Sequence, residues 1–243
     1  MDKLKLDRYI SENPDIKLGD AVARILYEDI IALHIPPGAK LNVNQIAAAL
    51  GISRTPVVDA IEKLTADGFI VSHPGISGSY VQDLSLKDMM SLYRARSAIE
   101  GEAAALCAHN VDDATIVRLE ELAVEFKDSL VRKDLLAMRD TDIPFHRMLI
   151  DNCGNEYMQQ CYHVLLPKLT MYQSSMMEIL CRESTDDNPW AAKMQYNHIA
   201  VASAIRLRMP DLARQSMEDH VTASMNFTTI AGHGDPFVNI SAI

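Results

Sequence analysis

Residues 41–63 read LNVNQIAAALGISRTPVVDAIEK, a pattern of two short helices joined by a tight turn. Asn42 followed three residues later by Gln45 is a capping-box arrangement ahead of the apolar Val43, Ile46, Ala47 and Leu50. Gly51 supplies the residue that takes positive φ and stops this first helix. Ser53 suits the N-cap of a second helix, whose first turn tolerates Pro56 because its N–H groups lack a helical acceptor anyway. Val57, Ile61 and Leu64 fall at i, i+4 and i+7, one buried stripe. Arg54, Thr55, Val58, Asp59 and Glu62 then face outward. The spacing predicts a helix-turn-helix whose second helix offers Ser53, Arg54, Thr55 and Pro56 to base edges and phosphates.

Working outward, Gly68 ends the second helix, and Phe69-Ile70-Val71 is a short β-like run. Turn residues fill His73-Pro74-Gly75 through Gly78-Ser79, and Tyr80-Val81 can be the returning strand. That hairpin is a wing, so the unit is a winged helix-turn-helix. Asn44 in the first helix and His73, Gly75 and Ser77 in the wing join the residues expected to face DNA. The plainer alternative is a helix-turn-helix used only for protein contacts. The stretch GISRTPVVDAIEKLTADGFIVSHPGISGSYV resembles the DNA-binding signature of the GntR family of bacterial transcription regulators. Members of that family usually carry an arginine two residues after the proline, where this chain has Val58. Arg54 and Lys63 are therefore the cations of the second helix, beside Asp59, Glu62 and Asp67.

The acidic balance sharpens this point. The 243 residues carry a formal net charge of −10 and are 48% hydrophobic. Residues 1–82 hold eight Lys/Arg against ten Asp/Glu, so even the winged part is not basic. Phosphate neutralisation supplies nearly all non-specific affinity for DNA, and a monomer should bind weakly. A homodimer engaging two half-sites is expected. No apolar run is long enough to span a bilayer, and MDKLKLDRYI lacks a signal-peptide core, which implies a cytoplasmic protein and no membrane partner. Cys107, Cys153, Cys161 and Cys181 show no CxxC spacing and read as reduced core thiols.

Taken in order, residues 1–17 read as a mobile extension or a short, loosely packed helix. Residues 18–82 are the winged unit, opening with a helix from Gly19 to His34. The boundary falls at Asp83-Leu84-Ser85. Residues 83–230 are helical throughout, with six helices near 85–109, 112–132, 134–153, 155–181, 189–209 and 211–229. Breaks are expected at Asn110, Lys133, Gly154, Asp186-Asp187-Asn188-Pro189 and Met209-Pro210. Residues 231–243 form an extended or disordered tail. The fold class is mainly α, a winged helix-turn-helix followed by an all-α six-helix bundle. Such a bundle behind a winged helix resembles the FCD subclass of the GntR family, the fatty-acid-regulator-like effector domain. The resemblance implies a homodimer that responds to a small organic acid.

Polar residues on apolar stripes are the informative ones in a bundle. The inward face of the first bundle helix is read as Leu92, Arg96, Ile99, Ala103 and Leu106. Arg96 either pairs with Glu100 one turn on or awaits a carboxylate ligand. The subclass pattern of an arginine and then a glutamate matches both residues. Asp142 and His146 are i and i+4, with Leu149 and Cys153 continuing their stripe, and Asp142-Ile143-Pro144-Phe145-His146 resembles the D-x-x-F-H pattern of metal-binding members. Pro144 allows a kink, or a helix start at which Asp142 is spent on capping. His198 lies on the stripe Met194, His198, Val201, Ile205, and His220 lies one turn beyond Met217. The short connection at Met209-Pro210 forces antiparallel packing and brings His198 and His220 nearly level. Asp142, His146, His198 and His220 then form a three-nitrogen, one-oxygen site suited to Zn²⁺, Ni²⁺ or Mn²⁺, with positions open for water or an organic acid.

The reading is a ligand-responsive bacterial transcription regulator, a repressor, that binds double-stranded operator DNA as a dimer. It senses a small carboxylate at a metal-containing pocket with Arg96 as a further anchor. A metal-dependent enzyme and a sensor of the metal ion itself are the alternatives. Against the enzyme, the sequence offers no general base beyond the ligands, no nucleophile elbow and no phosphate loop.

Overall fold

The computed structural model describes residues 1–183 and 189–231, with side chains described for 1–181 and 197–227. The chain divides into two compact units at Leu84/Ser85. The first holds α1 (Lys3–Glu12), α2 (Leu18–Ile31), β1 (Lys40–Leu41), α3 (Val43–Leu50), α4 (Arg54–Ala66), β2 (Ile70–Val71) and β3 (Ser79–Val81). Asn42 caps α3 by accepting from the backbone N–H of Asn44 and Gln45, and Gly51 turns the chain at φ 66°. Leu50, Val57, Ile61 and Leu64 are buried together with Leu26 of α2, so the expected stripe is the core-facing side of α4. The wing is the antiparallel β2–β3 hairpin. It gains a strand that periodicity does not signal: β1 pairs antiparallel with β3, giving the order β1-β3-β2. Two residues are too few to show alternation.

Residues 1–17 contain more structure than an extension. Asp2 caps α1 through the N–H of Leu4, Leu6 is buried, and the helix packs on α2 and α3.

The second unit is built from α5 (Leu86–Asn110), α6 (Asp113–Arg132), α7 (Leu135–Asn152), α8 (Glu156–Glu183), α9 (Pro189–Arg206) and α10 (Pro210–Ala231). These match the six expected helices within a few residues, and each boundary has a local cause. Ser85, Asp112 and Asp134 cap α5, α6 and α7 by accepting the backbone N–H of the third helical residue. Lys133 takes left-handed backbone after α6, and Gly154 does so after α7. The expected break at Asp186-Asp187-Asn188, the side chain of Met194 and the tail beyond Ala231 lie outside the described residues.

Three expectations are corrected. The buried stripe of α5 is Tyr93, Arg96, Glu100, Ala103, Ala104 and Cys107, while Leu92, Ile99 and Leu106 sit half-buried on its flank. The helix turns its polar residues, not its leucines, to the centre. Pro144 lies inside α7, ten residues into the helix, and starts nothing; the cap is Asp134, which leaves Asp142 free for other partners. The four cysteines are free, but Cys161 is exposed on α8 and is no core thiol.

Candidate metal centre and DNA-binding surface

Four side chains from three helices meet at the middle of the second unit. Asp142 and His146 stand one turn apart on α7, because a spacing of four residues shares a helix face. His198 comes from α9 and His220 from α10, which pack against each other. The two imidazoles sit level, with ring centroids 4.4 Å apart. His146 Nε2 is 3.2 Å from His198 Nε2 and 3.1 Å from His220 Nε2. Asp142 Oδ1 lies 3.3 Å from His198 Nε2 and 3.6 Å from His146 Nε2. One ligand atom from each of the four lies within 4.8 Å of the others, and all four residues are buried.

The contacts of 3.1, 3.2, 3.3 and 3.6 Å suit a shared ion, while the full set spans up to 4.8 Å and would draw in around it. Ligands about 2.0–2.2 Å from a divalent ion stand about 2.8–3.6 Å from their neighbours at octahedral or tetrahedral angles. Imidazole nitrogens facing each other at this distance can share at most one proton per contact, so hydrogen bonding among the rings cannot satisfy them all. Among the described residues, Nδ1 of His146, His198 and His220 has no hydrogen-bond partner. A proton kept there leaves Nε2 as the lone-pair donor, the tautomer a ligand needs. The donor set therefore fits a divalent ion.

A surrounding layer fixes these ligands. Nδ1 of His146 lies 2.8 Å from Glu100 Oε2, an ion-pair contact that lacks hydrogen-bond geometry and leaves Nε2 on the side of the cluster. Glu100 Oε1 accepts from Arg96 Nε at 2.8 Å and from the Tyr162 hydroxyl at 2.9 Å. Gln173 donates to Asp142 Oδ2 at 2.7 Å, holding the carboxylate so that Oδ1 faces the histidines. Glu100 was visible in the sequence as a partner for Arg96 one turn away. Its role under His146, and those of Tyr162 and Gln173, depend on contacts between helices that no spacing within one helix encodes.

Charge follows the same layout. Burial raises the Glu100 pKa, but Arg96 and His146 outweigh it and hold the carboxyl down at about 2. Burial likewise opposes ionisation of Asp142, yet His146 and His198 push it well below the ordinary carboxylate range. Desolvation opposes a charge on His146, and Glu100 overcomes it, so that pKa is raised. Desolvation lowers His198, and with the neighbouring imidazoles lowers His220 further. Arg96 makes the ion pair with Glu100 one turn on. Its Nη2 nevertheless remains buried with no partner, a donor to which nothing in the described side chains responds.

The polar residues of the winged unit are displayed rather than enclosed. Asn44, Ser53, Arg54, Thr55, Gly75 and Ser77 are exposed, and Pro56 and His73 half-buried. Ser53 occupies the N-cap position of α4 but its side chain makes no capping bond, which leaves the hydroxyl for an outside acceptor. His73 packs beside Tyr80, ring centroids 5.1 Å apart, at the base of the wing, and Gly75 turns at φ 78°. Lys63, the second cation of α4, is occupied: its ammonium lies 2.7 Å from Asp20 on α2. Val58, in place of the usual arginine, is exposed.

A winged helix-turn-helix joined to a helical domain is the architecture of a class of transcription regulator. Residues 18–81 match the model for bacterial regulatory proteins of the gntR family, and residues 91–223 match the FCD domain. The chain belongs to the FCD branch of the GntR family of bacterial transcription regulators. It is similar to the HTH-type transcriptional repressor RspR of Escherichia coli, 30% identical over 137 residues, which cover 56% of this chain and 60% of RspR. A probable D-xylose utilization operon transcriptional repressor of Paenarthrobacter nicotinovorans is 29% identical over 83% of this chain and 84% of its own length. Among solved structures, E. coli McbR/YncC superposes with a TM-score of 0.68 at 17% identity, over 89% of this chain and 97% of that one, a likeness of fold. The family and these relatives are regulators of transcription, not enzymes. No helix among the described residues is long and apolar enough to cross a membrane.

Proposed function

We propose that this regulator is a cytoplasmic, homodimeric repressor that senses a small carboxylate at a divalent ion held by Asp142, His146, His198 and His220. The convergence of one ligand atom from each, within 4.8 Å and fully enclosed, carries the reading. A bound Zn²⁺, Ni²⁺ or Mn²⁺ supplies a Lewis-acidic centre with coordination positions left for an organic acid. The residues set which acid fits. Arg96 and Glu100 neutralise each other, and Asp142 offers one negative charge against two on the ion. The centre then keeps a single positive charge, which favours a monoanion. Arg96 Nη2, buried and unpartnered, is the donor available to the acid's second oxygen.

On the DNA side, Ser53, Arg54, Thr55 and Pro56 at the start of α4, Asn44 on α3, and His73, Gly75 and Ser77 of the wing form the operator-contacting surface. Arg54 is its main reader of base edges, since Lys63 is paired with Asp20. Two half-sites are needed to reach useful affinity with so few cations. Effector binding acts by favouring one arrangement of the two winged units in the dimer over another.

The test is elemental analysis of purified protein together with operator binding in the presence of metal and a panel of small carboxylates. The reading expects close to one divalent ion per chain and an operator affinity that responds to one acid. Protein that stays metal-free after incubation with Zn²⁺, Ni²⁺ and Mn²⁺ overturns the metal site. Operator release by metal alone, with no acid, makes the ion itself the signal.

A further inference from the structure

We infer that α1, which lies outside the family-matched residues 18–81, is part of the DNA-binding surface, with Lys3 contacting a backbone phosphate beside the helix-turn-helix turn. The inference rests on the operator-binding reading and adds to it a contact that the winged fold does not itself contain. α1 is held in place from two sides. Leu6 is buried, and Lys5 bridges to Glu28 at 2.9 Å and Asp29 at 3.4 Å on α2. That fixes the helix with Lys3 over the turn. Lys3 Cε stands 3.3 Å, and Cδ 3.6 Å, from where a Cβ on Gly51 would be. Gly51 is the left-handed residue between α3 and α4, two residues before Ser53 and three before Arg54. The aliphatic stem of Lys3 therefore runs along the turn that leads into the groove-facing end of α4.

Its ammonium is available. Lys3 Nζ lies 2.5 Å from Asp7, but both side chains are about half exposed. An exposed pair within one helix is weak and readily exchanged for a stronger anion, whereas the Lys63–Asp20 pair, similarly exposed, ties α4 to α2. The need for such a cation is visible in the same unit. Residues 1–82 carry more acid than base, Lys63 is paired with Asp20, Val58 replaces a cation, and Lys40 lies over the Tyr80 ring. A lysine at the turn offsets part of that shortage without adding sequence preference, since phosphate contacts position the protein and do not read bases.

The experiment uses the full chain and a duplex that the wild-type protein enriches from a random pool, beside an unrelated duplex of equal length. Affinity is measured from 50 to 200 mM salt for wild type, Lys3→Met, Lys3→Arg and Asp7→Asn. Lys3→Met keeps an unbranched stem over Gly51 and removes only the charge. One phosphate contact per chain changes the salt slope of a dimer by about 1.8, so over this fourfold range wild-type affinity should fall about twelvefold more than that of Lys3→Met. The ratio of enriched to unrelated duplex should stay constant, Lys3→Arg should keep the wild-type slope, and Asp7→Asn should bind more tightly. A Lys3→Met slope equal to wild type overturns the contact. So does loss of discrimination without a change in slope, which would place Lys3 in positioning α4. A wild-type protein that enriches no duplex overturns the operator-binding reading itself, an outcome distinct from either.

Discussion

At the start of α4, Ser53, Arg54 and Thr55 stand in solvent with no capping bond claimed by Ser53. At the centre of the helical unit, Asp142, His146, His198 and His220 are at most 2% exposed and crowd one another at hydrogen-bond distance. Both are sets of polar groups without full satisfaction inside the chain, but their costs differ. Water satisfies the exposed set at no expense to folding. The enclosed set has lost its water, and each unpartnered nitrogen there opposes the folded state until a ligand arrives. Changes in the first region should alter DNA binding and leave stability alone. Changes in the second should alter stability and ligand binding together.

The strongest way to break that contrast is to remove the ion. At a thousandfold excess over Kd, a bound ligand adds about 4 kcal/mol to the folded state. At about 2–4 °C per kcal/mol for a unit of this size, that is about 8–16 °C of melting temperature. Chelator should lower the wild-type melting point by this order and leave His198→Ala and His220→Ala, already depleted of metal, unmoved. Melting curves identical with and without chelator would make the cluster a packed set of core histidines. Acidification gives a second reading with a definite sign. His198 and His220 have lowered pKa values, so they favour the fold while neutral, and that contribution fades as pH falls below about 6.5. His146, raised, works the opposite way in the metal-free protein. With the ion present all three must be neutral, so metal should be released between about pH 7 and 5.

Glu100→Gln is expected to come next. It leaves Arg96 buried without its anion, and breaking an enclosed ion pair from one side costs about 3–5 kcal/mol. The substitution also weakens the orientation of His146, for a loss of about 10–100-fold in metal affinity. Calorimetry of folding and a metal titration on the same protein separate the two effects. A stable variant with normal metal binding would show that the 2.8 Å contact to His146 Nδ1 has no orienting role.

Arg54→Ala sharpens the other side of the comparison. An arginine reading a base edge contributes about 1–3 kcal/mol of discrimination, and this exposed residue lies off the Val57, Ile61, Leu64 stripe. Operator affinity measured at fixed salt should fall accordingly while the melting temperature stays at the wild-type value. A lowered melting point would mean that Arg54 supports α4 and does not read DNA.

How much of this was legible from the chain follows the range of each signal. The turn, both helices around it and the wing were readable because Asn42, Gly51, Gly68 and the apolar spacing act within a few residues. The four cluster residues were readable because stripes and a short connection at Pro210 fix both direction and height. What escaped has a long-range cause. β1 is two residues whose only mark is a partner 38–40 positions away. The rotation of α5 that buries Arg96 and Glu100 in place of its leucines follows from anions and imidazoles on other helices. Tyr162 and Gln173 take their roles from the packing of α8 against α5 and α7. Lys63 read as an available cation because Asp20, its partner, lies 43 residues upstream.

Lys63 supplies the smallest and most discriminating prediction. By sequence it is a cation of the recognition helix and belongs with Arg54; by structure its ammonium is tied to Asp20 on α2. The two views differ in what salt does. A phosphate-contacting lysine contributes about 0.9 per chain to the salt slope, whereas one that stays on a carboxylate of another helix when DNA binds contributes nothing. Lys63→Met should therefore leave both the operator affinity and its salt dependence at wild-type values, with at most a slight loss of stability for an exposed pair. Asp20→Asn is the informative partner. It frees the ammonium, and if Lys63 then reaches the backbone the slope steepens and affinity rises. A Lys63→Met variant that loses slope on its own would show that DNA already draws the lysine away from Asp20. The winged unit would then hold a reserve of charge that the free protein keeps neutralised.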